Sequence, residues 1–447
     1  MQPSEFGIMA MAMVLVTFAH IFLDFGFYRA IVQQIDITQE QYSTVFFLNA
    51  GFALILTIVC FFLAAPLSHF YNQPLIQPVF RTLSVSFFLY GLNLVPSALL
   101  YKRLQFKLNS ILTLAASFIS GVAGVFMAYK GYGVWSLVTQ TLLSSFLVLI
   151  TNFVFAKWYP SLVFSWLSIK PLWNYGSRMF ASGILDTLYT RLDTFIIGKI
   201  FSTQTLGYYA RAQSTDNLVK QFSAGSVVGA LFPYIAKHQN DRVYLKELFE
   251  RYLHIIAFTS IGISGVLFLV AKPLFEVLFT ARWLFSAELF RLMSIAGFAW
   301  PVSLLMVNII SGVGNSNAFF RLEIYKRIIA LPVYLFGFIF GLEGFLICMV
   351  VLSFAGVSLN AWFVSKELDM SWHRQWRVIF YYFFLGVGSV FITHTVLVLV
   401  PKSNSLCSVA VLTVIFSSLY LLGAYFFNLR GVKVINLSFQ KLKTSAQ

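Results

Sequence analysis

An all-α polytopic membrane protein is the fold class this sequence predicts, and three observations predict it. Of 447 residues, 59% are hydrophobic and 11% charged, with a mean hydropathy of +0.81. A soluble domain carries about a quarter of its residues as charges. Apolar runs of about twenty residues, long enough to cross hydrocarbon as a helix, recur along most of the chain. Phe6-Gly7-Ile8-Met9-Ala10-Met11-Ala12 also returns as Leu206-Gly207-Tyr208-Tyr209-Ala210-Arg211-Ala212, so the chain contains a second copy of something. Short alternating segments, the signature of a transmembrane barrel, are absent, which leaves helices as the spanning element. Aromatic residues make up 18% of the chain, a content that suits lipid-facing helices and interfacial belts.

In chain order the predicted spans lie near 4–28, 42–65, 76–99, 107–129, 133–156, 174–199, 205–235, 248–278, 285–312, 323–341, 344–365, 376–399 and 405–428. That gives about 13 transmembrane helices. The connections are too short to fold as separate domains, and 205–235 is the most polar span. The expected organisation is an N-terminal bundle at 1–157, a C-terminal bundle at 171–367, and a helix pair with a tail at 373–447.

Basic residues set the orientation. Alternate loops and helix ends hold Arg29, Lys102, Arg103, Lys107, Lys157, Lys170, Lys237, Arg242, Lys246, Arg251, Arg321, Lys326, Arg327, Lys366, Arg374, Arg377, Arg430, Lys433, Lys441 and Lys443. The opposite side holds Lys130, Lys199, Lys272, Arg282 and Lys402. Such a bias places the richer side, and with it the C-terminus, in the cytoplasm. It also accounts for the net charge of +15 without nucleic acid. Cys60, Cys348 and Cys407 lie far apart in apolar runs and read as small core residues.

The repeat extends beyond its first motif. Ala65-Pro66-Leu67 matches Lys272-Pro273-Leu274, and Phe80-Arg81 matches Phe290-Arg291, with Ser84 and Ser294 following. Gly131-Tyr132-Gly133 matches the Gly341–Gly344 turn. Copies separated by an even number of spans share one orientation and are parallel repeats. In the second copy the helix at 174–199 precedes the Leu206-Gly207 motif, whereas Met1 stands almost on the first motif. The expectation is a parent of fourteen spans whose first helix is missing here, through a late start codon or a truncation.

Several stretches resemble the polysaccharide-flippase branch of the multidrug/oligosaccharidyl-lipid/polysaccharide exporter superfamily, and more closely its colanic-acid-exporter-like members. They are Pro3-Ser4-Glu5-Phe6-Gly7-Ile8-Met9-Ala10-Met11-Ala12, Asp24-Phe25-Gly26-Phe27, Ala30-Ile31-Val32-Gln33, Pro96-Ser97-Ala98-Leu99-Leu100, Gly133-Val134-Trp135-Ser136-Leu137-Val138, Ile196-Ile197-Gly198-Lys199 and the Leu206–Ala212 motif. The likeness runs from Met1 to about Leu368. It implies two pseudo-symmetric helical bundles around a central cavity and a C-terminal helix pair. It also implies export of lipid-linked oligosaccharide or exopolysaccharide precursors across a bacterial inner membrane, by alternating access. The implied partners are a polyprenyl-pyrophosphate-linked saccharide, the bilayer and polysaccharide polymerase machinery.

Moving such a substrate requires a wet, cationic cavity, for which Arg offers forked donors and Lys a point charge. The candidate cations are Arg81, Arg291, Lys220, Arg178 and Arg191. Arg81 and Arg291 hold equivalent repeat positions about two turns into their spans; snorkelling to outer headgroups is the competing role. Gln213, Asp216, Asn217, Lys220 and Gln221 form one helical stripe, which lipid would disfavour. Asp216 and Lys220 are spaced for an i,i+4 pair. Asp186 and Asp193 lie two turns apart on one face, where they would couple H⁺ or Na⁺, or else pair with Arg191 or Arg178. His20, His254 and His394 read as satisfied polar residues. No cofactor, nucleophile motif or metal spacing is expected, and Gly312–Gly314 lacks the Lys of a phosphate loop.

A cation-coupled multidrug antiporter of the same superfamily is the alternative function. A glycosyltransferase or polymerase would need an external catalytic loop, and the external loops are short. A scaffold without transport leaves the polar stripe unexplained.

Overall fold

A chain in hydrocarbon must satisfy each backbone N–H and C=O within its own segment, so apolar runs become helices. The computed structural model describes residues 1–24, 27–33, 37–166, 191–239, 241–313, 316–399, 405–427 and 429. Its regular elements among these residues are all helical. The chain divides into two compact units, Met1–Ala210 and Arg211–Gln447.

The first unit contains α1 (Pro3–Asp24), α2 (Phe27–Gln33), α3 (Gln39–Tyr71), α4 (Ile76–Lys102), α5 (Phe106–Tyr129), α6 (Val134–Ala156) and α7, helical at 191–200. α4 packs against α1, α2, α3 and α6 and is the centre of the unit. At the start of α3, the Thr38 side chain accepts from Gln41 N–H while the Gln41 side chain accepts from Thr38 N–H. This reciprocal cap satisfies two otherwise orphaned donors. α3 stops at Asn72, whose φ of 53° is left-handed, a conformation Asn tolerates better than most residues. Phe27, Ile31, Val45, Val95, Ala98 and Trp158 form an apolar core. The outer face of α5 instead exposes Leu114, Phe118, Val125 and Phe126. Such a patch is a liability in water but is the expected surface against lipid.

α8 (Thr203–Lys237) begins in the first unit and continues into the second. The second unit adds α9 (Arg242–Phe279), α10 (Leu284–Ile295), α11 (Ala299–Gly312), α12 (Ser316–Phe336), α13 (Gly341–Glu367), α14 (Trp372–Leu399) and α15 (Ser405–Phe426). α10, α11, α14 and α15 all pack on α9. The C-terminal helices are thereby built into the core of this unit, where Phe249, Leu253, Phe298, Met306, Tyr382 and Phe416 are buried. Tyr420 Oη also donates to Phe258 O at 2.9 Å.

Ten described segments are long and apolar enough to span a membrane. These segments differ from the expected spans at three places. The expected spans 323–341 and 344–365 fall in one stretch, Asn317–Glu367, broken by a 3-10 turn at Gly337–Phe340 and by Gly341 at φ 75°. The span at 174–199 lies mostly outside the described residues. α8 forms as a helix of 35 residues, but its polar stripe keeps it out of the apolar set. The 285–312 span bends at Ala296–Phe298, where α10 gives way to α11.

Candidate functional site

The polar stripe of α8 is where charge enters the second unit. α8 starts after a break at Phe201–Ser202, and Ser202 Oγ accepts from Thr205 N–H at 3.1 Å. Further along, Asp216 and Lys220 sit one turn apart on the same face. Asp216 Oδ2 lies 2.5 Å from Lys220 Nζ, with the carboxylate buried and the ammonium about a third exposed. Gln213 is half-buried and Asn217 exposed.

Three serines share the pocket of this pair. Its lining includes Asp216, Lys220, Ser260, Ser264, Ser294 and Gly297, and its cavity volume is about 10 Å³, about the size of one water. Ser260 and Ser264 are one turn apart on α9, Ser294 is on α10, and Gly297 lies in the turn between α10 and α11. Gly297 stands close to this group: a methyl group there would lie 2.7 Å from Ser264 Oγ, which would have to turn aside. Such a cavity is far too small for a sugar.

Asp193, on α7, is 5% exposed. Its Oδ2 accepts the Tyr209 hydroxyl at 2.5 Å, and its Oδ1 accepts the Thr194 backbone N–H at 2.6 Å. A carboxylate held by donors is a satisfied buried charge. Arg191 is half-buried on the same helix. Arg178 and Asp186 lie outside the described residues.

Arg81 and Arg291 occupy matching local environments. Arg81 Cζ stands 4.7 Å over the Phe61 ring, and Arg291 Cζ stands 5.1 Å over the Phe268 ring. Arg81 Nε also donates to Phe61 O at 3.3 Å. Each phenylalanine belongs to the helix preceding its arginine, α3 or α9. The ring face attracts the guanidinium and holds it at the end of its span. Arg211 lies over Phe279 and Trp283, at 4.6 and 5.3 Å, an aromatic anchor in the N-terminal part of α8.

His254 Nδ1 lies 3.0 Å from the Tyr382 hydroxyl, a satisfied histidine as expected. His20 departs from that expectation. Its ring stacks on Tyr90 at 4.3 Å and its Nε2 is buried without a hydrogen-bond partner, because aromatic contacts, not polar ones, hold the ring. Among the described residues no three His, Cys, Asp or Glu side chains are grouped to hold a metal.

Sequence reasoning singled out Asp216 and Lys220 but not Ser260 or Ser264. A serine in an apolar helix reads as a small packing residue, and only Ser294 carried a signal, through its repeat partner Ser84. Tyr209 was visible as part of the repeated motif, but its bond to Asp193 depends on how α8 turns back along α7.

The sequence model of a family described as "Polysaccharide biosynthesis protein" matches residues 1–288. The chain is 22% identical over 399 residues to the lipopolysaccharide biosynthesis protein WzxC of Escherichia coli K12, covering 87% of this chain and 80% of that one. It is 23% identical over 342 residues to the succinoglycan biosynthesis transport protein ExoT of Rhizobium meliloti 1021, covering 76% and 69%. Among solved structures, a lipid II flippase, MurJ, in an inward closed conformation, superposes with a TM-score of 0.77 at 15% identity, covering 95% of this chain and 93% of that one. An inward-facing multidrug resistance transporter of the MATE family gives 0.63 at 16% identity, covering 83% and 92%. The polytopic helical fold is therefore shared with both kinds of transporter.

Proposed function

Because the chain belongs to the polysaccharide biosynthesis protein family, we propose that it moves a lipid-linked oligosaccharide or exopolysaccharide precursor across the bacterial inner membrane. The family match over residues 1–288 is the observation that carries this reading. Fold alone does not separate saccharide flippases from multidrug antiporters, since both kinds of structure superpose on the chain. The family match does separate them, and the relatives' names speak of lipopolysaccharide and succinoglycan.

In this reading the protein works by alternating access and performs no bond chemistry. Its substrate presents a pyrophosphate, bulky polar sugars and a lipid tail that stays in the bilayer. Lys220 offers a point charge already placed beside a carboxylate it can leave, while Arg81 and Arg291 offer forked donors. Arg191 and Asp193 in the first unit and Gln213 and Asn217 in the second are the further polar residues this reading invokes, while Arg178 and Asp186 lie outside the described residues. The bias of the basic loops supports a cytoplasmic C-terminus, and in this reading a polysaccharide polymerase takes the product on the far side.

The test is depletion of the protein in its native host, with lipid-linked saccharide and surface polysaccharide measured together. The reading predicts that the lipid-linked form accumulates as surface polysaccharide falls. Unchanged levels of both would overturn it.

A further inference from the structure

Where α6 ends, the chain runs without helix from 157 to 165 and is tied to the first turns of α3. Trp158 Nε1 donates to Gln39 Oε1 at 2.6 Å, and Gln39 Nε2 donates to Tyr159 O at 2.9 Å. Ser161 N–H donates to Ser43 Oγ at 3.0 Å, and Ser165 N–H donates to Thr44 Oγ1 at 3.1 Å. One side of this strap faces inward, with the Trp158 ring edge-on to Tyr42 and Phe46. The other side holds Tyr159, Leu162 and Phe164 outward, 71%, 94% and 57% exposed. Apolar side chains grouped in this way mark an interaction surface. Irregular backbone cannot face lipid within the hydrocarbon, so the strap lies at the bilayer interface. Tyrosine and its apolar neighbours are favoured at that level.

Positive charge surrounds the strap. Lys157 begins it, and α5 and α6 pack as a hairpin, so Lys107 at the start of α5 stands at the same end. Lys102 and Arg103 close α4 there. Lys102 Nζ donates to Tyr42 Oη at 3.3 Å, and Arg103 Nη1 donates to Ala156 O at 2.7 Å. Both partners are uncharged, and none of the four cations is in an ion pair among the described residues. Glu40, in the first turn of α3, offsets only part of this charge. Lys107 also shares one helical face with Ile111, Leu114 and Phe118, all of them exposed. The lipid-facing stripe of α5 therefore ends on a lysine, whose ammonium reaches the level of the phosphate headgroups.

We propose that this end of the first unit is a docking surface for anionic phospholipid. Tyr159, Leu162 and Phe164 sit among the headgroups, while Lys102, Arg103, Lys107 and Lys157 meet their phosphates. The apolar stripe leading into Lys107 favours a lipid over a protein partner. Cations without carboxylate partners favour an anionic lipid over a zwitterionic one. On the orientation drawn from the basic loops, the leaflet is the cytoplasmic one.

Thermal unfolding of the purified full-length protein in detergent, titrated with phosphatidylglycerol or phosphatidylcholine, tests this. No saccharide is involved, so its failure would leave the export reading standing. Phosphatidylglycerol should raise the Tm well beyond the rise given by phosphatidylcholine. Inorganic phosphate, which has no acyl chains, should leave the Tm where it was. Lys107→Gln and Lys157→Gln should each raise the phosphatidylglycerol concentration at the titration midpoint by about fivefold. Leu162→Gln should raise it as well. Lys130→Gln, which removes the same charge at the opposite end of α5, should leave the midpoint in place. Equal rises with the two lipids, or an equal rise with inorganic phosphate, would overturn the proposal on the wild-type chain alone. A midpoint unchanged in Lys107→Gln, Lys157→Gln or Leu162→Gln, or moved as far by Lys130→Gln, would also overturn it.

Discussion

Gly7 and Gly207 meet backbone to backbone. A methyl group at Gly7 would lie 1.7 Å from Thr203 O, and one at Gly207 would lie 1.7 Å from Pro3 O. The contact is reciprocal: Pro3 stands to Gly7 as Thr203 stands to Gly207, the same step along α1 and α8. The glycines of the repeated motif are therefore explained by each other, since only residues without Cβ let the two helix starts touch at this point.

Gly7→Ala and Gly207→Ala should each destabilise the protein by about 1–3 kcal/mol, the usual cost of forcing atoms into a packed contact. The two costs should not add, because separating the helices for one methyl makes room for the other. Thermal unfolding of both single variants and the double in detergent measures this. Additive losses would mean that the two glycines act independently.

Tyr209→Phe should lower stability more than an ordinary core substitution. It removes a charge-assisted hydrogen bond to buried Asp193, worth about 1.5–3 kcal/mol. A lower Tm with the same helical circular dichroism is the expected result. A Tm equal to wild type would show that Asp193 keeps its charge satisfied without the phenol.

Arg81→Ala, Arg291→Ala and Lys220→Ala should each reduce polysaccharide export at normal membrane abundance. Arg→Lys should restore part of it, keeping the point charge and losing the fork. Phe61→Leu should resemble a mild form of Arg81→Ala, since it removes the ring beneath the guanidinium and its contribution of about 0.5–2 kcal/mol. Export against abundance for each variant is the measurement. Wild-type export from all three alanine variants would remove the case for a cationic path.

Reporter fusions after Lys107, after Lys246 and at the C-terminus should be cytoplasmic, and a fusion at Lys130 periplasmic. Periplasmic activity at Lys107 would invert the orientation drawn from the basic loops.

The helical class and the charged pair were legible because they rest on composition and on spacing along one helix. Asp216 and Lys220 show their pairing in the sequence: four residues on a helix is one turn. The serines of the pocket were not legible, because Ser260 and Ser294 meet only after α9 and α10 fold together. Likewise the repeat marked Gly7 and Gly207 as equivalent, but equivalence in sequence does not say that two positions touch. The arginine sites were half legible. Their repeat equivalence was plain, while the phenylalanine under each was hidden among the 50 in the chain.

The central claim is that this protein carries a lipid-linked saccharide from the inner to the outer leaflet. Its most direct test is the leaflet position of the accumulated precursor in depleted cells, read by treating spheroplasts with a glycosidase that cannot cross the membrane. The account predicts a precursor resistant to the enzyme when the protein is depleted and cleaved when it is restored. A precursor cleaved equally in both conditions would show that it reaches the outer leaflet without this protein, and would contradict the account.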